Sequence, residues 1–270
     1  MSEATEESGA LFAIDGPLAT VTFNRPEKFN AMTPSLIEDL IEFFYKLDQT
    51  PEIRCVLIRG NGKHFMAGGD LEVTRKFAAM SPAERRREAE QPMLRFVAMG
   101  RLMQKLQKPI VASVQGAVAG GAVGLVAACD LVIAGKSSFY WAAHILHGGS
   151  NDGLLSYFLP RQIGLRRALE MALMGDRIDA QQAREMGLIN FVVPDEQLAA
   201  ETDKLVARLC KGPTVGYGLI KDLMYASLAN SLEEQGYLES SKYGVAINTE
   251  DVNDGLRAFF ERRTPDFKGR

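Results

Sequence analysis

Three segments of this chain gather the residue types that do chemistry. The first is His64-Phe65-Met66-Ala67-Gly68-Gly69-Asp70-Leu71, a glycine pair and a carboxylate behind an apolar strand pattern. Paired glycines allow unusual backbone angles and close approach of a ligand, and Asp70 can cap the helix expected after it. The second runs from Gly116 through Gly120-Gly121 to Gly124, between a strand and a small-residue helix. Backbone N–H groups at a helix start have no intrahelical partner and point outward, so they can take an anion or a developing oxyanion. The third, residues 144–153, holds two of the chain's three histidines, His144 and His147, together with Ser150 and Asp152. Each segment also admits a plain reading: a Gly-rich turn, close packing of helix on strand through small residues, a loop aspartate in an Asx-turn or cap.

The spacings exclude several chemistries. Gly116-xxx-Gly120-Gly121 is not G-x-G-x-x-G, and no Gly-Lys-Ser/Thr follows, which disfavours nucleotide-cofactor binding by those routes. His144 and His147 could share a helical face, but they lack an H-E-x-x-H pattern and an evident third ligand, so no metal is expected. Ser150 lacks the Gly-x-Ser-x-Gly context of a hydrolytic triad. Lys and Arg number 31 against 34 acidic residues, a net charge of −3, which gives no electrostatic grip on nucleic acid. The run Arg85-Arg86-Arg87, flanked by Glu84 and Glu88, reads as a solvated helix face. Cys55, Cys129 and Cys210 are odd in number, widely spaced and set in apolar stretches, which points to inert packing. The acidic N-terminal residues lack the basic and apolar regions of a signal peptide, and no apolar run approaches about 20 residues. A cytoplasmic protein without a membrane span is expected.

The elements that must position these segments follow from apolar spacing. With 270 residues, 46% apolar and 24% charged, the chain suits one large domain or a domain with an appendage. Residues 11–14 and 19–23 form β-rich runs around the hairpin signal Asp15-Gly16. Thr33-Pro34 marks a helix start, with Leu36, Ile37, Leu40, Ile41, Phe44 and Leu47 on one face behind it. Strands are predicted at 55–58, 110–114, 130–134 and 188–193, helices at about 82–106 and from about Gly121. Asp179 caps a short helix ending at Gly187. Beyond about residue 195 only helical patterns remain. An α/β core over 1–200 and a helical region over 201–270 are therefore expected.

Read together, these segments resemble the crotonase, or enoyl-CoA hydratase/isomerase, superfamily. Residues 19–31, Ala-Thr-Val-Thr-Phe-Asn-Arg-Pro-Glu-Lys-Phe-Asn-Ala, resemble its opening signature, and 65–71 its first oxyanion loop. Residues 108–121, running on to Cys129-Asp130, resemble the second loop, and 249–263 the closing helix. The resemblance implies a spiral of ββα units with a C-terminal helical trimerisation region, assembled as a homotrimer or dimer of trimers. It implies an acyl-CoA substrate and no cofactor beyond the CoA that the substrate carries. By position, the oxyanion donors are the backbone N–H groups of Gly69 and Gly121. Lys28, Phe29, Ala67 and Asp70 match CoA-binding positions. Phe259 and Lys268 match residues that can reach a neighbouring subunit's adenine site.

The chain departs from the hydratase pattern at both catalytic glutamates: the matching positions are Gly124 and His144. Adding water needs an acid and a base, so ordinary hydration by a glutamate pair is excluded. Asp152 falls where family isomerases carry a carboxylate that moves a proton from C2 to C4 of a 3-enoyl thioester. Asn151-Asp152, Ser156-Tyr157 and Gly124 also resemble the 4-chlorobenzoyl-CoA dehalogenase segment. That enzyme's helper histidine falls near Val97, however, and its flanking tryptophans on Arg95 and Phe96. The leading expectation is an isomerase with Asp152 as base and His144 assisting or shaping the pocket. The alternatives are an atypical hydratase, a thioester hydrolase or a dehalogenase-like enzyme using His144 or Asp152, and a non-catalytic acyl-CoA binder. His147 is expected to be structural or substrate-lining, and His64 to lie at the surface beside the oxyanion loop.

Overall fold

The structure, a computed structural model, describes residues 9–77 and 79–270, the side chains of residues 71 and 74 excepted. Strands β1 (Ala10–Asp15) and β2 (Leu18–Phe23) form an antiparallel hairpin, with Ala10 opposite Phe23. A 3₁₀ turn (Pro26–Lys28) leads into α1 (Pro34–Asp48), where Thr33 Oγ1 accepts the Leu36 N–H at 3.2 Å and Pro34 takes the first helical position. Next come β3 (Cys55–Gly60), α2 (Leu71–Phe77) and α3 (Pro82–Lys105), the last opened by a reciprocal Ser81–Glu84 capping box.

The chain then winds as a spiral that sets one strand in each of two sheets per turn. β4 (Ile110–Val114) is followed by β5 (Ala117–Ala119) and α4 (Gly121–Ala128). β6 (Leu131–Gly135) is followed by β7 (Phe139–Trp141), a 3₁₀ turn (Ala143–His147), α5 (Leu155–Ile163) and α6 (Leu165–Met174). β8 (Arg177–Asp179), α7 (Ala180–Met186) and β9 (Phe191–Val193) complete it. The larger sheet has the order β1-β2-β3-β4-β6-β9, parallel except for its first pair; the smaller is β5-β7-β8. After it come α8 (Leu198–Cys210), α9 (Thr214–Ala226), α10 (Leu232–Ala246) and α11 (Glu250–Glu261). The predicted strand at 188–193 is shorter than expected, because Leu188 and Ile189 turn into the core instead.

Strand alternation divides the core. In β3, Val56 and Ile58 enter the main cluster with α1 and α3, while Cys55 and Leu57 face Val206 and Leu209 of α8 on the other side of the sheet. Each such side chain, fully buried, contributes about 1.5–3 kcal/mol. The three cysteines are free and buried. Asp130, at the head of β6, accepts the Ile110 N–H at 2.8 Å and the Tyr225 hydroxyl at 3.1 Å, and pairs with Lys221 of α9 at 2.6 Å. Among the described residues no helix is long and apolar enough to cross a membrane.

Candidate active site

The first glycine loop is held from two sides. Asn30, buried at φ +55°, donates from Nδ2 to the carbonyls of Asn61 (2.9 Å), His64 (2.8 Å) and Phe65 (3.2 Å). Met32 then pairs like a strand with the loop: its N–H donates to Gly68 O (2.7 Å) and its carbonyl accepts the Asp70 N–H (2.9 Å). Those bonds engage the residues on either side of Gly69 and leave its own N–H directed away from Met32. Gly68, at φ +96°, lies so close to the second loop that a Cβ would stand 2.9 Å from Ala119 O.

The second loop runs beside the first. Met66 N–H donates to Ala117 O (3.1 Å), and Ala119 N–H to Met66 O (3.0 Å). His64 is not a free surface residue: its Nδ1 accepts the Ala117 N–H at 3.1 Å, and burial holds its pKa below the ordinary histidine value. Gly120 turns the chain at φ +56°, and Gly121 starts α4 with an N–H that the helix leaves unpaired. Gly69 and Gly121 line one cavity, whose empty space is about 630 Å³ including open solvent.

Asp152 lines the same cavity. Its Oδ1 lies 2.9 Å from His144 Nε2. The Asp152 side chain is 43% exposed, whereas that of His144 is only 10% exposed and does not line the cavity. His144 Nδ1 is buried without a hydrogen-bond partner. The tautomer with a proton on Nε2 suits this setting, since an N–H on Nδ1 would be a donor stranded in the interior. His144 therefore donates to Asp152 and holds one carboxylate oxygen, leaving Oδ2 for other chemistry. His147 is exposed, at the end of the same 3₁₀ turn.

The backbone of residues 152–155 lies directly on the first turn of α4. A Cβ on Gly121 would stand 2.7 Å from Asp152 Oδ1, and one on Gly124 would stand 2.2 Å from Gly153 O. Gly153, at φ +59°, returns the approach, with its own absent Cβ 2.6 Å from Gly121 Cα. Three glycines are thus what brings the carboxylate to the head of the helix.

Comparison with known proteins supplies the family. Residues 14–270 match the sequence profile of the enoyl-CoA hydratase/isomerase family. The chain belongs to that family. It is similar to the 1,2-epoxyphenylacetyl-CoA isomerase of Escherichia coli (strain K12), 34% identical over 95% of this chain and 97% of that protein. It is also similar to the trans-2-decenoyl-[acyl-carrier-protein] isomerase of Streptococcus mutans serotype c, 31% identical over 96% and 98%. Among solved structures, an enoyl-CoA hydratase from Polaromonas sp. JS666 superposes with a TM-score of 0.89 at 27% identity, covering 96% of this chain and 99% of that one.

As an enoyl-CoA hydratase/isomerase family member the protein is an acyl-CoA enzyme, and its remaining candidate residues fall into two groups. Near the cavity, Phe29 stands exposed at φ +52°, its carbonyl accepts the Ala67 N–H at 3.0 Å, and its ring tilts over His64 at 5.5 Å. Lys28 ends the preceding 3₁₀ turn. Asp70 lines the cavity, but its carboxylate is engaged by Arg25 at 3.2 Å and by the Glu72 N–H at 3.1 Å, which makes it the expected cap of α2. Phe259 and Lys268 lie elsewhere: Phe259 is exposed on α11, and Lys268 Nζ pairs with Asp266 at 2.6 Å. Ile37, Val73, Phe77, Pro92 and Phe96 supply the cavity's apolar wall; of these only Phe96, which matches a dehalogenase tryptophan position, is marked as a site residue by the sequence.

Proposed function

We propose that the protein shifts the double bond of a 3-enoyl-CoA to the conjugated 2-enoyl-CoA, with Asp152 as the single base. The carrying observation is that Asp152 stands on the cavity wall with Gly69 and Gly121 and keeps Oδ2 without a partner among the described residues, while Asp70 is occupied. The thioester oxygen would accept the Gly69 and Gly121 N–H groups. Asp152 takes the C2 proton, and the electron pair moves through C1 onto the oxygen as a dienolate. The same carboxyl group returns the proton to C4, and the charge flows back to leave C2=C3. No water is consumed, and no cofactor is needed beyond the CoA of the substrate. One preorganised oxyanion donor is worth about 3–4 kcal/mol, a positioned base about 10²–10⁴-fold.

Hydration is disfavoured because Gly124 offers no carboxylate and Gly153 O occupies the space beside it. The test is the rise in ultraviolet absorbance when a short-chain 3-enoyl-CoA meets the purified protein. Full turnover by Asp152→Asn would sink the assignment of the base. Incorporation of label from heavy-oxygen water would instead favour water chemistry.

The same reading includes assembly as a homotrimer or dimer of trimers. Leu232, Tyr237, Phe259 and Phe260 are each about four-fifths exposed on α10 and α11, an apolar surface that a lone chain would leave in water. Light scattering that returned a monomer would overturn it.

A further inference from the structure

The cavity beside Gly69 and Gly121 abuts a second one. This second cavity, enclosing about 1090 Å³ including open solvent, shares Pro34, Ile37, Val73, Phe77 and Pro92 with the first. The helices between them show how the two are arranged. On α3, Ala89 and Phe96 face the inner cavity, Glu88 and Arg95 the outer one. Each pair is one residue apart, a step of about 100° around a helix axis. On α1, Ile37 faces both cavities and its neighbour Glu38 only the outer; on α2, Val73 and Phe77 face both and Lys76 only the outer. The two spaces therefore lie on either side of one set of apolar side chains set between α1, α2 and α3. Pro92 stands at the shared wall. It has no N–H to give the Glu88 carbonyl, and its ring crowds that carbonyl, which weakens α3 at this point.

We propose that the two cavities act as one acyl channel, and that the substrate carries an unbranched chain long enough for its tail to lie in the outer groove. The proposal rests on the acyl-CoA reading of the inner cavity and adds the class of acyl group. The groove's floor is apolar, built from Ile37, Val73, Phe77, Met80 and Pro92. At its rim Arg95 and Glu38 pair with each other across α1 and α3, so they satisfy their own charges and make no demand for a charged tail. A closed inner cavity would cap the chain length; an open one lets each added methylene find apolar wall.

Binding of saturated acyl-CoAs, measured by calorimetry, tests this without depending on turnover. A fully buried methylene contributes roughly fourfold in affinity, and one covered on a single side about twofold. Dodecanoyl-CoA should therefore bind about 16-fold more tightly than octanoyl-CoA, and phenylacetyl-CoA more weakly than either. Gln91→Trp, at an exposed position on the outer rim, should bring the dodecanoyl-to-octanoyl ratio close to one. Met80→Trp should do the same from the opposite wall. Equal affinity for octanoyl- and dodecanoyl-CoA in the unmodified protein, or an unchanged ratio in both folded variants, would overturn the channel. If this happened while 3-enoyl-CoA turnover persisted, the channel alone would fall. If no acyl-CoA bound at any length, the acyl-CoA reading would fall with it.

Discussion

On the proposed mechanism, removing His144 separates the base, Asp152, from the residue that holds it. In His144→Ala, Asp152 loses a 2.9 Å hydrogen bond on Oδ1. A hydrogen bond to a charged group contributes about 1.5–3 kcal/mol. Asp152 is 43% exposed, so water can reach the vacated oxygen, and the lower end of that range applies. About 1.4 kcal/mol corresponds to a tenfold loss in rate. The ring does not line the cavity, so the loss should fall on kcat and leave KM nearly unchanged. Asp152→Asn removes the proton acceptor itself and should cost about 10²–10⁴-fold. His144→Gln should recover much of the tenfold, because its amide N–H₂ can reach the place of Nε2. The assay is the initial rate of absorbance increase with a 3-enoyl-CoA across a range of concentrations. A loss in His144→Ala as large as that in Asp152→Asn would make the histidine the base. A Gln variant no better than Ala would show that the hydrogen bond is not what matters.

Three further outcomes follow from the geometry around the site. Gly124→Glu, which restores a hydratase-like residue, should give no hydratase activity and should destabilise the protein, since its Cβ would stand 2.2 Å from Gly153 O; thermal melting and a hydration assay read both effects. Lys221→Ala should cost about 3–5 kcal/mol in denaturant unfolding, because it strands the buried Asp130 carboxylate whose partner is 2.6 Å away. His64 has its pKa lowered in the folded protein by burial and by Lys63, so its contribution is present above the ordinary histidine value near 6.5 and is lost as pH falls through the folded value. Protonation also removes the acceptor of the Ala117 N–H; His64→Asn, whose Oδ1 can accept that N–H at any pH, should flatten this acid limb in melting temperature.

How much could be read in advance depended on length and on neighbours. The apolar spacing behind Thr33-Pro34 marks a helix that runs Pro34–Asp48 with the expected cap, and the short helix after Asp179 carries a capping box with Gln182. The parallel strand Ile110–Val114 and the helix starting at Gly121 also lie where the pattern places them. The smaller sheet was invisible because β5, β7 and β8 are three residues each, too short to show alternation. At the site, Gly69, Gly121 and Asp152, which line one cavity, were legible as residue types. The pairing of His144 with Asp152 was not, because it spans a 3₁₀ turn whose course depends on Gly148 at φ +67°. The cavity wall was equally hidden: Phe77, Pro92 and Phe96 lie on two helices, and only their tertiary placement turns one face toward Gly69.

The departures from the hydratase pattern are coupled rather than independent. A side chain at position 124 and the 152–155 backbone compete for one volume beside α4, as the 2.2 Å and 2.8 Å approaches to Gly153 O and Leu155 N require. With glycine at 124 the loop can settle onto the helix, and Gly121 and Gly153 let it come close enough to set Asp152 at the cavity wall. Once Asp152 is there, the residue at 144 is within 2.9 Å of its carboxylate, and a glutamate in that place would set two carboxylates against each other. A histidine can donate from Nε2 instead. Losing the first glutamate, gaining the aspartate and replacing the second glutamate with histidine are thus three parts of one packing solution. Restoring any single hydratase residue should therefore damage the site rather than convert it.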